Sequence, residues 1–82
     1  MKVLELPNRG VLRLSGNDSK VLLQGLITND IKRLSSEPAI YAALLTPQGK
    51  YLFDFFIVSE GDDLLLDCEA SRSADLMRRL MM

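Results

Sequence analysis

The sequence predicts an α+β fold in which a mostly antiparallel sheet carries its helices on one face. Five short apolar segments have the residue types and the period of two that are typical of β-strands. Two other segments repeat apolar residues at spacings of three and four, as amphipathic helices do. Turn sequences rich in Gly, Asn, Asp and Pro separate these segments, and the resulting order is β-β-α-β-β-β-α.

Two strands open the predicted fold, over Val3–Leu6 and Val11–Ser15. The first ends at Pro7, which has no backbone N–H for a strand ladder. In the second, Leu12 and Leu14 alternate with Val, Arg and Ser, so we expect these two leucines to share one face of the sheet.

A helix is expected over Ser19–Ile27, directly after a Gly-Asn-Asp cluster that offers side-chain oxygens to free helix N–H groups. Its inward face would carry two apolar pairs four residues apart: Leu22 with Leu26, and Leu23 with Ile27. Gly25 costs about 1 kcal/mol relative to Ala inside a helix. A close backbone contact at Gly25 would explain its presence.

Three strands in a meander are predicted after one further helical turn over Ile31–Leu34. These strands are Ile40–Leu45, Tyr51–Ser59 and Leu64–Cys68. The connection Thr46–Gly49 has Pro at its second position and Gly at its fourth, which suits a type I turn followed by a left-handed residue.

A last helix, capped by Ser71 or Ser73, closes the predicted fold. Its apolar face carries Leu76, Met77, Leu80 and Met81. The helix reaches Met82 without a Gly or Asn cap and without a flanking Pro. This ending favours the interpretation that residues 1–82 are the amino-terminal segment of a larger domain.

Composition excludes several classes of function. The net charge is −1 and His is absent, so the basic surface of a nucleic-acid-binding protein is not expected. No apolar run approaches the roughly 18 residues of a membrane helix. Cys68 is the single cysteine, which leaves no disulfide and no zinc or iron-sulfur ligand set within the chain. We therefore expect a cytoplasmic protein that contacts neither nucleic acid nor membrane.

Asp54 is the most informative single residue. Period two in its strand places this carboxylate in an apolar row with Leu52, Phe56 and Val58. Burial of an unpaired carboxylate costs several kcal/mol or raises its pKa, so Asp54 requires a partner. Lys50 or an arginine could pair with it, or the face could be partly hydrated. Alternatively, Asp54 is a functional acid.

Other polar residues also allow two interpretations. The stretch Gln24–Asp30 concentrates amide, hydroxyl and carboxylate groups at a helix exit, where capping is their usual role and ligand contact is the alternative. Arg9 could bind a carboxylate bidentately or be a hydrated surface residue. Tyr41 and Tyr51 are interpreted as packing residues with hydrated hydroxyls. Without His, no nucleophile with its base and orienting group can be assembled.

The order of the motifs resembles the amino-terminal part of the folate-binding YgfZ family, which is related to the glycine-cleavage T-protein, an aminomethyltransferase. The motifs are Arg9-Gly10, Leu14-Ser15-Gly16-Asn17-Asp18, the stretch Leu23-Gln24-Gly25-Leu26-Ile27-Thr28-Asn29-Asp30, and Leu44-Leu45-Thr46-Pro47-Gln48-Gly49-Lys50-Tyr51-Leu52-Phe53-Asp54. The resemblance implies part of a domain around a tetrahydrofolate site and a role in iron-sulfur cluster assembly or repair. Folate, iron-sulfur client proteins and the remainder of the parent chain would be its partners.

The resemblance also implies site residues. Asn29, Asp30 and Asp54 would line or support the folate cavity, and Asp54 would be the catalytic residue if the protein is an aminomethyltransferase. Such enzymes carry two adjacent Asp residues on this strand, whereas this chain has Phe53 and Asp54. The Lys-Gly-Cys motif that marks the YgfZ branch is absent, and Cys68 lies in a different context.

Three hypotheses follow. The first is a tetrahydrofolate-binding protein that assists iron-sulfur cluster assembly or repair. The second is a folate-dependent aminomethyltransferase, for which the isolated chain is expected to be inactive. The third is a small α+β interaction module that binds a partner through the apolar face of its last helix.

Overall fold

The computed structural model describes residues 1–6 and 10–81, which form one five-stranded antiparallel sheet. The strands are β1 (Lys2–Leu6), β2 (Val11–Ser15), β3 (Ile40–Leu45), β4 (Tyr51–Glu60) and β5 (Asp63–Asp67). Their order across the sheet is β1-β2-β5-β4-β3, so the last three strands form the predicted meander. The helices are α1 (Ser19–Gln24) and α2 (Ser73–Leu80), with 3₁₀ helices at Ile31–Ser35 and Ala70–Arg72. The predicted α+β class and element order are confirmed.

The core lies on one face of the sheet, as the strand periods predict. Leu12 and Leu14 of β2 are fully buried and pair in register with Leu66 and Leu64 of β5. The other large core side chains include Leu23, Phe55, Ile57 and Leu76. One apolar face per strand therefore holds the sheet against α1 and α2.

The opposite face of the sheet, here called the outer face, stays accessible. It carries the side chains that alternate with the core, among them Leu4, Tyr41, Asp54 and Phe56. Leu4, Tyr41 and Phe56 are each about half exposed. The row that contains Asp54 is thus an accessible surface of apolar and aromatic side chains.

The first helix is shorter than predicted. α1 ends at Gln24, whereas the sequence pattern predicted a helix to Ile27. Leu23 is fully buried, but Leu22 is 45% exposed and Leu26 is 46% exposed, so the predicted inward pair Leu22 and Leu26 is wrong.

Hydrogen bonds to the sheet edge explain the early end of α1. Ile27 forms an isolated bridge with Leu44, and the Thr28 N–H donates to the Ala43 carbonyl at 3.1 Å. The Ala43 N–H in turn donates to Thr28 Oγ1 at 3.0 Å. These contacts satisfy the free edge of β3, which a longer helix could not do. Gly25 follows the helix and a Cβ there would have its nearest neighbour at 3.6 Å, so the predicted close contact is wrong.

The last helix faces the core. Leu76 and Leu80 of α2 are buried, and α2 packs mainly against β1. The third hypothesis required the apolar face of this helix to be exposed. Leu76 and Leu80 are therefore not available to bind a partner, and the hypothesis is wrong in this respect.

The predicted serine cap of the last helix is not formed. Ser73 is buried, and its hydroxyl donates to the Ala70 carbonyl at 3.0 Å and also contacts Glu5. No side chain caps the α2 N-terminus. The predicted Ser cap is therefore wrong. Across the described chain, no helix is both long and apolar enough to span a membrane.

Candidate functional site

The β3–β4 hairpin places the candidate site on the outer face. Its turn closes with a bond from the Gly49 N–H to the Thr46 carbonyl at 2.8 Å, and Gly49 has a φ of 84°, as predicted for a left-handed residue. The register pairs Ala43 with Asp54 and Tyr41 with Phe56. Tyr41 therefore lies diagonally across from Asp54 on the same face, within reach of a long side chain.

Asp54 is held by tyrosine hydroxyl groups. The Tyr41 hydroxyl donates a hydrogen bond to Asp54 Oδ2. The pKa of Asp54 is held below its ordinary value, first by this bond and second by a hydrogen bond from the Tyr51 hydroxyl. The more distant positive charge of Arg72 acts in the same direction. No ion pair joins Asp54 to Lys50 or to an arginine in residues 1–6 and 10–81. The predicted cationic partner is therefore wrong, and hydroxyl donors take its place.

The two tyrosines are more than packing residues. The bond to the Asp54 carboxylate raises the pKa of Tyr41 to about 12, and the same carboxylate raises the pKa of Tyr51. The Tyr41 ring also packs at 5.2 Å and 59° against Phe56. The sequence contained a signal for this cluster, because the hairpin turn fixes a register in which Tyr41 and Asp54 share a face. The interpretation of Tyr41 as a packing residue is confirmed by its contact with Phe56, but its hydroxyl is bonded to Asp54 rather than only hydrated.

Titration of Tyr41 provides a direct check of this cluster. In a Tyr51→Phe background, we expect phenolate absorbance to report a midpoint near pH 12 for Tyr41. Adding Asp54→Asn should return the midpoint toward 10. A raised folded-state pKa means that the bond stabilises the fold fully below pH 10 and loses its effect as pH rises through about 12. An unchanged midpoint in the Asp54→Asn protein would contradict the assigned cause.

Arg72 packs against the part of β4 that extends beyond the end of β5. Its guanidinium lies 4.4 Å from the centre of the Phe53 ring and its Nη2 donates to the Leu52 carbonyl at 3.1 Å. A small cavity of about 50 Å³ lies at this edge, lined by Arg72, Asp54 and four neighbours. This volume is too small for a folate-sized ligand, so a ligand of that size bound at Asp54 would lie on the open outer face.

Cys68 has a structural role in the described chain. Its backbone N–H donates to the Gly10 carbonyl at 2.9 Å, and Sγ approaches the same oxygen at 3.2 Å. Partial burial raises the pKa of the thiol, so the reactive thiolate is disfavoured. Within residues 1–6 and 10–81, no three His, Cys, Asp or Glu side chains are placed to hold a metal ion.

Asp30 makes the capping contact that one interpretation of its motif predicted, whereas the Asn29 side chain bonds to strand β3 and to Arg33. Asn29 Nδ2 donates to the Tyr41 carbonyl at 2.9 Å, and its Oδ1 accepts from the Arg33 guanidinium at 2.9 Å. Asp30 Oδ1 accepts from the Lys32 N–H at 3.0 Å at the start of the 3₁₀ helix. Asn29 thus supports the strand that carries Tyr41, next to the Asp54 cluster.

Asp30 and Asp54 do not share a cavity. Asp30 lines the α1 cleft, which lies between α1 and the 3₁₀ helix Ile31–Ser35 and reaches Ser59 at the end of β4. Asp54 lies on the outer face. The structure therefore brings Asp54 together with Tyr41 and, through the Tyr41 backbone, with Asn29. The predicted carboxylate contact of Arg9 lies outside the described residues.

Comparison with known proteins identifies two kinds of relative. One relative is a mitochondrial iron-sulfur cluster assembly factor, an IBA57 homolog of Mycosarcoma maydis, to which the chain is 44% identical over 63 residues. This alignment covers 68% of the chain and 16% of the relative. An IBA57 homolog of Aspergillus oryzae is 33% identical over 92% of this chain and 20% of its own length. The aminomethyltransferase of Bacillus subtilis is 34% identical over 78% of this chain and 18% of its own length.

The chain is related to a part of both kinds of protein. It spans only about a fifth of these relatives or less. No protein-family model matches it. The combination of assembly factors and aminomethyltransferases agrees with the resemblance read from the motifs.

Proposed function

We propose that this chain is a segment of a tetrahydrofolate-binding protein of the YgfZ type that assists iron-sulfur cluster assembly. Its similarity to proteins named as IBA57 assembly factors supports the role in assembly. Its similarity to aminomethyltransferases supports a folate ligand. In this proposal the iron-sulfur client proteins and the remainder of a longer chain are its partners. The relatives named as assembly factors are mitochondrial, and the cytoplasmic location of this protein stays a prediction.

One observation carries the proposal: Asp54 is an ionised carboxylate held in place on an accessible apolar and aromatic sheet face. The reduced pyrazine and pyrimidinone rings of tetrahydrofolate present neighbouring N–H donors on a largely flat body. A carboxylate accepts such donors, and the bonds are strengthened by its charge. The rings of Tyr41 and Phe56 flank Asp54 and offer apolar surface for the body of the ligand. The residues present therefore fit this cofactor.

Each residue would have a distinct task. Asp54 would accept ligand N–H groups, and the Tyr41 hydroxyl would fix the orientation and charge of that carboxylate. Phe56 would pack against the ligand. Asn29 would support the site through its contact with the Tyr41 carbonyl, and Asp30 would contribute only indirectly, by capping the 3₁₀ helix that follows Asn29. Tetrahydrofolate itself would supply a carrier for one-carbon groups when bound.

A second candidate function is aminomethyl transfer, with Asp54 as the catalytic residue. The position of Phe53 favours keeping this candidate. Phe53 is buried on the core face, opposite to Asp54, because neighbouring strand residues point to opposite sides. The acid that this chain lacks would therefore lie on the core face, at Phe53. The acid on the accessible face, Asp54, is retained. The loss of the pair therefore does not by itself argue against transfer.

Titration with tetrahydrofolate tests the proposed site. We expect chemical-shift changes in the ¹⁵N spectrum at Tyr41, Asp54 and Phe56. Asp54→Asn should weaken binding about tenfold or more, because a hydrogen bond to a charged group contributes about 1.5–3 kcal/mol. Asp62→Asn, in the turn between β4 and β5, is the matched control and should bind like the parent chain. Equal affinity of the Asp54→Asn and parent chains would overturn the site.

An activity assay separates the two functions. A natural protein that carries this segment would be supplied with the partner proteins of glycine cleavage. Methylene transfer that disappears with Asp54→Asn would establish the aminomethyltransferase, whereas folate binding without transfer would support the assembly factor.

A further inference from the structure

The α1 cleft has a volume of about 450 Å³. Its wall is apolar where α1 and the 3₁₀ helix face each other, through Val21, Ile31 and Leu34. Val21 is 76% exposed, so its side chain forms an accessible part of this wall. A volume of this size is within the range of small-molecule sites.

The two walls of the cleft are fixed to each other by Gln24. Its Oε1 accepts from the Ile31 N–H at 2.6 Å, and its Nε2 donates to the Asn29 carbonyl at 3.3 Å. Both ends of this side chain are therefore used to join α1 to the start of the 3₁₀ helix. A cleft with tied walls loses little conformational entropy when a ligand enters.

The charge at the rim favours an anion. Lys20 and Lys32 line the cleft, and neither forms an ion pair within the described residues. Asp30 is the one acidic residue in the lining, and its Oδ1 already accepts the Lys32 N–H. Two ammonium groups thus border an apolar surface whose own lining holds one carboxylate, while Lys20 also borders a neighbouring cavity lined by Asp62 and Asp63. The Asp54 cluster has the opposite character, because its charged group is a carboxylate.

We propose that the α1 cleft binds a small organic carboxylate, with its apolar body between Val21 and Leu34 and its carboxylate near Lys20 and Lys32. The proposal does not depend on the folate function. The site differs from the Asp54 cluster in its residues, in its position at the end of β4 and in the sign of its charge.

Titration of the ¹⁵N-labelled chain with 1-naphthoate tests this site, with the uncharged 1-naphthalenemethanol as a second probe. We expect naphthoate to shift the amides of Val21, Ile31 and Leu34, and to bind more tightly than the alcohol. The double variant Lys20→Gln, Lys32→Gln should weaken naphthoate binding about tenfold, because it removes both exposed positive charges beside the proposed carboxylate position. Added salt should weaken it as well.

Lys50→Gln is the matched control, because it removes the same charge from the β3–β4 hairpin, away from the cleft. It should leave the affinity for naphthoate unchanged. Shifts confined to the outer face around Phe56, equal binding of acid and alcohol, or an equal loss in the Lys50→Gln chain would each overturn the proposal.

Discussion

Replacing Gly10 with alanine is expected to lower the free energy of unfolding by about 2–5 kcal/mol. Gly10 has a φ of 62°, a conformation that side chains with a Cβ rarely adopt. A Cβ at this position would lie 2.6 Å from the Cys68 carbonyl oxygen and 2.8 Å from the backbone of Ala70. These are backbone atoms, and they cannot withdraw without disturbing the hydrogen bond from the Cys68 N–H to the Gly10 carbonyl. Urea unfolding followed by circular dichroism measures the loss.

Gly61→Ala is the matched control for this prediction. Gly61 has nearly the same φ, 60°, but no atom lies within 4 Å of the position that a Cβ would take. Its replacement should therefore cost only the left-handed strain, about 1–2 kcal/mol. The difference between the two variants isolates the contact with Cys68 and Ala70. Equal losses would mean that this contact does not determine the effect.

Local patterns predict the strands well because burial of one face imposes a period of two. The bounds of β2 and β3 were predicted correctly, and those of β4 differ by one residue. The end of α1 was predicted wrongly because its cause is not local. Helix propensity allowed the helix to continue, but the free edge of β3 bonds with Thr28 across the fold. A single sequence pattern gives no information about which distant edge needs covering.

In the candidate site, too, local patterns predicted some features and contacts between distant strands determined the others. Period two correctly placed Asp54 on the face opposite to Phe53, and the need for a partner followed from the cost of an isolated carboxylate. The identity of the partner depended on the register of β3 against β4, which places Tyr41 diagonally across from Asp54. Capping propensity predicted the role of Asp30 at the 3₁₀ helix. The α1 cleft could not be predicted, since it forms only where Gln24 joins two helices.

Phe55→Ala is expected to destabilise the fold by about 3–5 kcal/mol, a large part of the stability of a chain of this size. Phe55 is 2% exposed at the centre of the longest strand, so truncation leaves a cavity among well-packed neighbours. The next residue provides the contrast, because Phe56 is 52% exposed on the outer face. Phe56→Ala should cost only about 1 kcal/mol, mainly through loss of the ring contact with Tyr41. Thermal and urea unfolding compare the two variants.

The same pair of variants separates stability from binding. Phe56→Ala should keep the fold and weaken tetrahydrofolate binding, because in the proposed site its ring packs against the ligand beside Asp54. Large destabilisation by Phe56→Ala together with tolerance of Phe55→Ala would reverse the assigned faces of β4. Such a result would move Asp54 into the core, and it would remove the basis for an accessible carboxylate site. If Phe56→Ala instead remains stable and binds folate like the parent chain, the fold stands and the outer face is not the folate surface.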